Sequence, residues 1–140
     1  MKVIFDEDVG KGIPEALRHV GIRDVEYIGR DRRLPKGTPD EIWLPFAGQH
    51  RYLVFSCNTG ILYAEGQRRL LIDQRVGAVF LTTGRARAVD VLRLILNEWD
   101  WLETIDVSTP RPFAYLLTLS GHKTLVDLDD PTIHRRLQGR

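Results

Sequence analysis

A short apolar run ending in three consecutive acids constrains this chain more than any other stretch. Val3, Ile4 and Phe5 lead into Asp6, Glu7 and Asp8, and Gly10, Gly12 and Pro14 follow at once. Three β-branched or aromatic residues bounded by glycines read as one buried strand, and Pro14 is suited to the first turn of a helix. The acids therefore stand at the C-terminal end of a strand. In open α/β sheets that edge is where ligands bind, and clustered carboxylates there repel one another unless a cation or a basic residue offsets them. The other reading is an acidic turn that only begins a helix.

The rest of the chain builds a sheet around that strand. A helix from Pro14 with Ala16, Leu17 and Val20 on one face ends at Gly21, and residues 24–28 alternate polar and apolar as a second strand. Strand, helix and strand in so few residues predict a βαβ unit with a right-handed crossover. Residues 29–37 form a mobile loop carrying Arg30, Arg32, Arg33 and Lys36, either as solvated charge or as phosphate contacts.

Thr38, Pro39 and Glu41 have the spacing of a capping box, with Thr38 as N-cap and Glu41 reaching back to it. Ile42, Trp43, Phe46 and Ala47 give that helix its apolar surface. Residues 51–56 are an apolar run for the sheet centre, ending in the polar turn Cys57, Asn58, Thr59, Gly60. A weak helix over 64–75, interrupted by Gly66, precedes a fourth strand over 77–81. Val89, Leu92, Ile95, Leu96, Trp99 and Leu102 then mark one long core-facing helix. After Pro110 and Pro112, residues 113–119 and 124–128 read as an antiparallel hairpin at the sheet edge, with a tail over 129–140 that holds Arg135, Arg136 and Arg140 and is frayed or bound to a partner.

Composition narrows the function. Twenty Lys and Arg stand against 19 Asp and Glu, so a polyanion site has to come from local clustering rather than net charge. The single cysteine, Cys57, excludes a disulfide framework and a multi-cysteine zinc site, suits a cytoplasmic protein, and is expected to pack as a small hydrophobe. The four histidines have no metal-ligand spacing and are read as surface residues. Trp43, Trp99 and Trp101 are read as core or interface. No apolar run approaches the ~18 residues of a membrane helix, and no secretory signal is apparent.

Three strand ends thus project polar side chains from one rim: Asp6, Glu7 and Asp8, then Asn58, then Thr82 or Thr83. Asp40 or Glu41 joins them from the helix after the second strand. Oxygen donors without cysteine or histidine suit Mg²⁺ or Mn²⁺, and such a site fits metal-assisted phosphodiester hydrolysis. Asp90, near a helix start, is a further acid for the site. Thr82, Arg85 and Arg87, at the start of the fourth helix, are the expected substrate-binding residues.

The segments Phe5-Asp6-Glu7-Asp8-Val9, Gly37-Thr38-Pro39-Asp40-Glu41-Ile42-Trp43-Leu44-Pro45-Phe46-Ala47-Gly48 and Leu53-Val54-Phe55-Ser56-Cys57-Asn58 resemble the PIN-like domains of VapC-type toxins, roughly from Val3 to Leu128. The resemblance implies a three-layer α/β/α domain over residues 1–128, with a mainly parallel sheet of about four strands plus the C-terminal hairpin. It also implies a Mg²⁺ or Mn²⁺ site, endoribonuclease activity on RNA, and restraint by a cognate antitoxin protein. Asp6, Asp8 and Glu41, with Asp40 as substitute, become the metal ligands, and Asp6, Glu41 and Asn58 the catalytic set. Asn58 stands where the family usually has aspartate, which removes one negative charge and weakens cation binding. A non-catalytic PIN-like module that binds RNA or protein is the alternative. A nucleotide-binding regulator of flavodoxin-like topology is a third reading. An exposed hairpin and the tryptophan-bearing fourth helix favour a homodimer.

Overall fold

In a computed structural model describing residues 1–130, six strands form one sheet in the order β2-β1-β3-β4-β5-β6. They are β1 (Val3–Phe5), β2 (Val25–Tyr27), β3 (Leu53–Ser56), β4 (Gly77–Thr82), β5 (Phe113–Thr118) and β6 (Lys123–Leu125). The first five run parallel, and only β6 is antiparallel, to β5. The expected hairpin is present, but its first strand extends the parallel sheet beside β4. The arginines expected in the tail lie outside the described residues.

Alternation along the strands divides the core into two layers. Ile4, Val54, Ala78 and Phe80 point to one face, covered by α2 (Asp40–Gln49), α3 (Gly60–Tyr63) and α4 (Glu65–Asp73) through Trp43, Leu44, Ala47, Ile61, Leu62 and Leu71. Val3, Phe5, Leu53, Phe55, Val79 and Leu81 point to the other, covered by α1 (Gly12–His19), α5 (Ala88–Asn97) and α6 (Trp99–Ser108). Phe5 and Phe55 stack across neighbouring strands with centroids 4.8 Å apart. The architecture is α/β/α, as expected.

Several local expectations are corrected. Val20 lies beyond the end of α1 and is exposed. Pro39, not Thr38, is the N-cap of α2, and it offers no side-chain bond; Thr38 Oγ1 donates instead to the Pro35 carbonyl, so no capping box forms. Ile42 is exposed, whereas Trp43 and Ala47 are buried. The single long helix is two helices, broken at Glu98, whose carboxylate pairs with Lys123 Nζ at 2.7 Å. That break turns the buried stripe onto Val91, Leu94, Ile95, Leu102 and Ile105 and leaves Val89 and Leu96 exposed. The basic loop is pinned: Leu34 is buried, Asp31 accepts from Arg33 Nε and Nη2, and Arg33 lies over the Phe46 ring.

Candidate functional site

The chain leaves β1 for β2 on one side and returns to β3 on the other, so the strand order reverses between β1 and β3. The C-terminal ends of these two strands form the crevice where such sheets bind ligands. Pairing of Phe5 with Phe55 carries Asp6 and Ser56 out of the sheet side by side, and Asp6 N–H donates to the Phe55 carbonyl at 2.8 Å.

Ser56 is fully buried and joins the acids. Its Oγ donates to Asp6 Oδ2 at 2.9 Å, lies 3.5 Å from Asp8 Oδ2, and accepts from Asn58 N–H at 3.0 Å. Asp6 Oδ1 accepts from Glu7 N–H at 2.8 Å, and Asp8 Oδ1 from Cys57 N–H at 3.0 Å. A one-turn 3₁₀ helix over Glu7–Val9, capped by Asp6, brings Asp8 back toward Asp6.

Among the described residues, neither Asp6 nor Asp8 forms an ion pair with a basic side chain. Burial first, and the Asp8 charge second, push Asp6 up to about 6 from 3.8, against the hydrogen bonds from Ser56 and Glu7 that favour its anion. Asp8 is raised as well, chiefly by burial, and the Asp40 charge raises both. Asp40 Oδ1 accepts from Trp43 Nε1 at 2.9 Å, which holds this carboxylate near the start of α2. Glu41 is exposed, and no hydrogen bond or ion pair ties it to the cluster. The helix acid whose charge reaches Asp6 and Asp8 is therefore Asp40.

Asn58 is exposed, and its Oδ1 accepts from Gly60 N–H at 3.1 Å, closing a turn into α3. A Cβ at Gly60 would stand 2.8 Å from that oxygen, so a larger residue there would shift the Asn58 side chain. Glu7 Oε1 accepts from Gly37 N–H in the basic loop. Cys57 is not in the core as expected but exposed at the rim; partial shielding of its thiol, with the Asp8 and Asp6 charges, pushes it up to about 11, which leaves it a poor nucleophile.

The three residues expected to bind substrate stand at the end of β4 and just before α5. Thr82 Oγ1 donates to the Leu117 carbonyl at 3.3 Å, and Arg87 pairs with Asp90 at 2.9 Å. Arg85 is exposed, with no ion pair among the described residues. Asp90 also meets Arg93 at 3.2 Å. Of the histidines, His19, His50 and His122 are exposed, and His134 lies outside the described residues.

Among the described residues, no three His, Cys, Asp or Glu side chains form a ready-made metal cage. The donor set nevertheless fits a hard divalent cation, because Mg²⁺ characteristically takes one or two carboxylates and completes its shell with water and phosphate oxygens. Asp6 and Asp8, which flank Ser56 Oγ and form no ion pair among the described residues, could supply such carboxylates. Ser56 was not recognisable as a site residue from its sequence position alone, although a lone hydroxyl in the run Leu53, Val54, Phe55 is a signal, since a buried hydroxyl requires a partner.

None of the described helices is long and apolar enough to cross a membrane. Comparison with curated proteins and with solved structures gives no match. Residues 1–83, which span β1 to β4 and hold Asp6, Asp8, Asp40, Ser56 and Asn58, match the family described as PIN-like domain. That match covers more than half of the chain, including the acids at the end of β1 and the serine of β3 that meets them in this α/β/α sheet, and identifies the chain as a member of the PIN-like domain family.

Proposed function

We propose that this PIN-like domain is a metal-dependent endoribonuclease of VapC-like type, cytoplasmic and restrained by an antitoxin protein. The observation that carries the reading is the pair Asp6 and Asp8 on either side of Ser56 Oγ at the switch between β1 and β3, with Asp40 adding charge and no ion pair to either acid among the described residues. Asp6 and Asp8 would hold Mg²⁺ or Mn²⁺, with water and phosphate oxygens completing the shell, Asp40 adding negative charge and Glu41 at the outer edge of the site. A cation bound there supplies charge neutralisation at the scissile phosphate and a more acidic water. Ser56 fixes the Asp6 carboxylate, and the Asn58 side chain shapes the turn that borders the phosphate.

The test is Mn²⁺ titration by calorimetry together with cleavage of single-stranded RNA, for the wild type, Asp6→Asn and Asn58→Asp. Aspartate at 58 can still accept from Gly60 N–H and adds a charge, so Mn²⁺ affinity should rise about 3- to 10-fold and cleavage with it. Asp6→Asn should abolish both. Neither binding nor cleavage in wild type or Asn58→Asp defeats the proposal.

One observation favours the second reading, a PIN-like module that binds RNA or protein without cutting it. Asn58 spends its carbonyl oxygen on Gly60 N–H and brings no charge to the rim. RNA binding by wild type that is insensitive to Mn²⁺ and to Asp6→Asn would support it. The exposed apolar residues Val89, Leu96, Leu119 and Leu125 around α5 and the hairpin are where an antitoxin or a second copy would bind.

A further inference from the structure

Beside the carboxylate pair, a cavity of ≈ 440 Å³ opens between the end of β1, the start of α1 and the end of β2. Its size is within the roughly 300–1,000 Å³ of small-ligand sites. Its walls differ in chemistry. Asp6 stands at one end; Tyr27 and Ile28 form an apolar side; Lys11 and Lys36 come to it from two separate segments. Neither lysine makes an ion pair or side-chain hydrogen bond among the described residues, although Asp6 and Glu7 line the same cavity.

The surrounding backbone keeps this arrangement in place. Gly29, at φ +105, leaves its part of the wall bare, and a Cβ there would approach Lys36 Cβ at 3.8 Å. Glu7 accepts from Gly37 N–H, which anchors the loop immediately after Lys36. Lys11 is the N-cap of α1, where the positive end of the helix adds to its own charge. Tyr27 is held by its hydroxyl, which donates to Glu15 Oε1 at 2.7 Å, so its ring is fixed beside the cavity.

We propose that this cavity seats the nucleotide next to the scissile phosphate of a single RNA strand, its phosphate between Lys11 and Lys36 and its base against Tyr27 and Ile28. The inference rests on the ribonuclease reading for the direction of the strand, since Asp6 belongs both to the cavity and to the carboxylate pair. A free phosphate would use the two lysines but not the apolar wall. A base and its phosphate use both, because a nucleobase stacks on an aromatic ring and a phosphodiester pairs with ammonium groups. Glu7 is a positioning residue here, acting through the loop that carries Lys36.

The experiment is equilibrium binding of a short fluorescein-labelled oligouridylate to the whole chain in EDTA, by anisotropy at several salt concentrations, with Mn²⁺-dependent cleavage measured in parallel. Lys11→Gln and Lys36→Gln should each weaken binding about 5- to 20-fold and lower the salt slope by ~0.7, the value for one lost phosphate contact on a single strand. Tyr27→Leu should weaken binding at least as much while leaving the slope unchanged. Arg23→Gln, before β2 at the opposite end of the sheet, should alter neither. Thermal melts establish that each variant is folded. Lysine variants that bind with wild-type affinity and slope, or a wild type that does not bind, overturn the subsite whatever the cleavage result. Lysine-dependent binding without cleavage by wild type upholds the subsite and overturns the ribonuclease reading.

Discussion

Asp6→Asn should stabilise the metal-free protein at alkaline pH and lose that advantage in acid. Asp6 is pushed up to about 6 in the folded chain from an ordinary 3.8, so between these values the native state holds a proton that the unfolded chain has released. Its contribution is fully present below about pH 3.8 and is lost as pH rises through about 6. At ~1.36 kcal/mol per tenfold change, native stability at pH 8 is lower by up to ~3 kcal/mol, which solvent at this part-exposed carboxylate reduces to ~2. Asparagine removes that penalty and still accepts from Glu7 N–H, but gives up the bond from Ser56 Oγ, at a cost of about 1 kcal/mol. The net gain at pH 8 is ~1 kcal/mol, or about 3 °C in Tm for a chain of this length. Urea unfolding in EDTA, followed by fluorescence of the buried Trp43, should give a variant more stable than wild type at pH 8, equal near pH 5 and less stable at pH 4. Saturating Mn²⁺ should reverse the order at pH 8, because at a hundred times Kd a cation bound only by the native state adds ~2.7 kcal/mol to wild type. A stability difference that is the same at all pH values, or a wild type that is the more stable at pH 8 without metal, would refute the electrostatic account of this corner.

Three further substitutions test the supports of the site. Ser56→Ala leaves Asn58 N–H and the Asp6 carboxylate without their buried partner and should cost about 1–2 kcal/mol at pH 5. Removing a bond that favours the anion raises Asp6 further, so the loss should be larger at pH 8, as measured by the same urea titrations. Asp106→Ala removes the carboxylate that meets Arg111 Nη2 at 2.6 Å, both side chains being buried, and should cost about 3–5 kcal/mol because the guanidinium is left unpaired. Gly48→Ala places a Cβ 2.2 Å from the Gln74 carbonyl oxygen, where α2 crosses the end of α4. It should cost about 3 kcal/mol and lower Tm by roughly 10 °C in a calorimetric scan.

What could be read from the sequence follows from which forces are local. Buried parallel strands are continuous apolar runs, so β1, β3 and β4 declare themselves, and the acids ending β1 mark the ligand-binding edge before any topology is known. Pairings chosen by tertiary contact are not legible in this way. Residues 88–108 carry an unbroken helical pattern, yet the helix breaks at Glu98, where the carboxylate meets Lys123 of β6, a tertiary contact that the period of the pattern cannot register. Thr38 and Glu41 fit a capping box by spacing, but Thr38 finds the Pro35 carbonyl, and the helix acid nearest the cluster is Asp40, held by Trp43 three residues on.

The centre of the site depends on the most distant of these choices. Ser56 lies fifty residues from Asp6 in sequence and meets it because β1 and β3 pair Val3 with Leu53, Ile4 with Val54 and Phe5 with Phe55. That register is set by the core, since a slip of one residue would turn every apolar side chain of β3 to the wrong layer and part the stacked Phe5 and Phe55 rings. The same slip would bring Cys57 beside Asp6 in place of Ser56. The hydroxyl that donates to Asp6 beside Asp8 is therefore positioned by apolar packing, and core substitutions in β3 should alter the acids at the end of β1 before they unfold the chain.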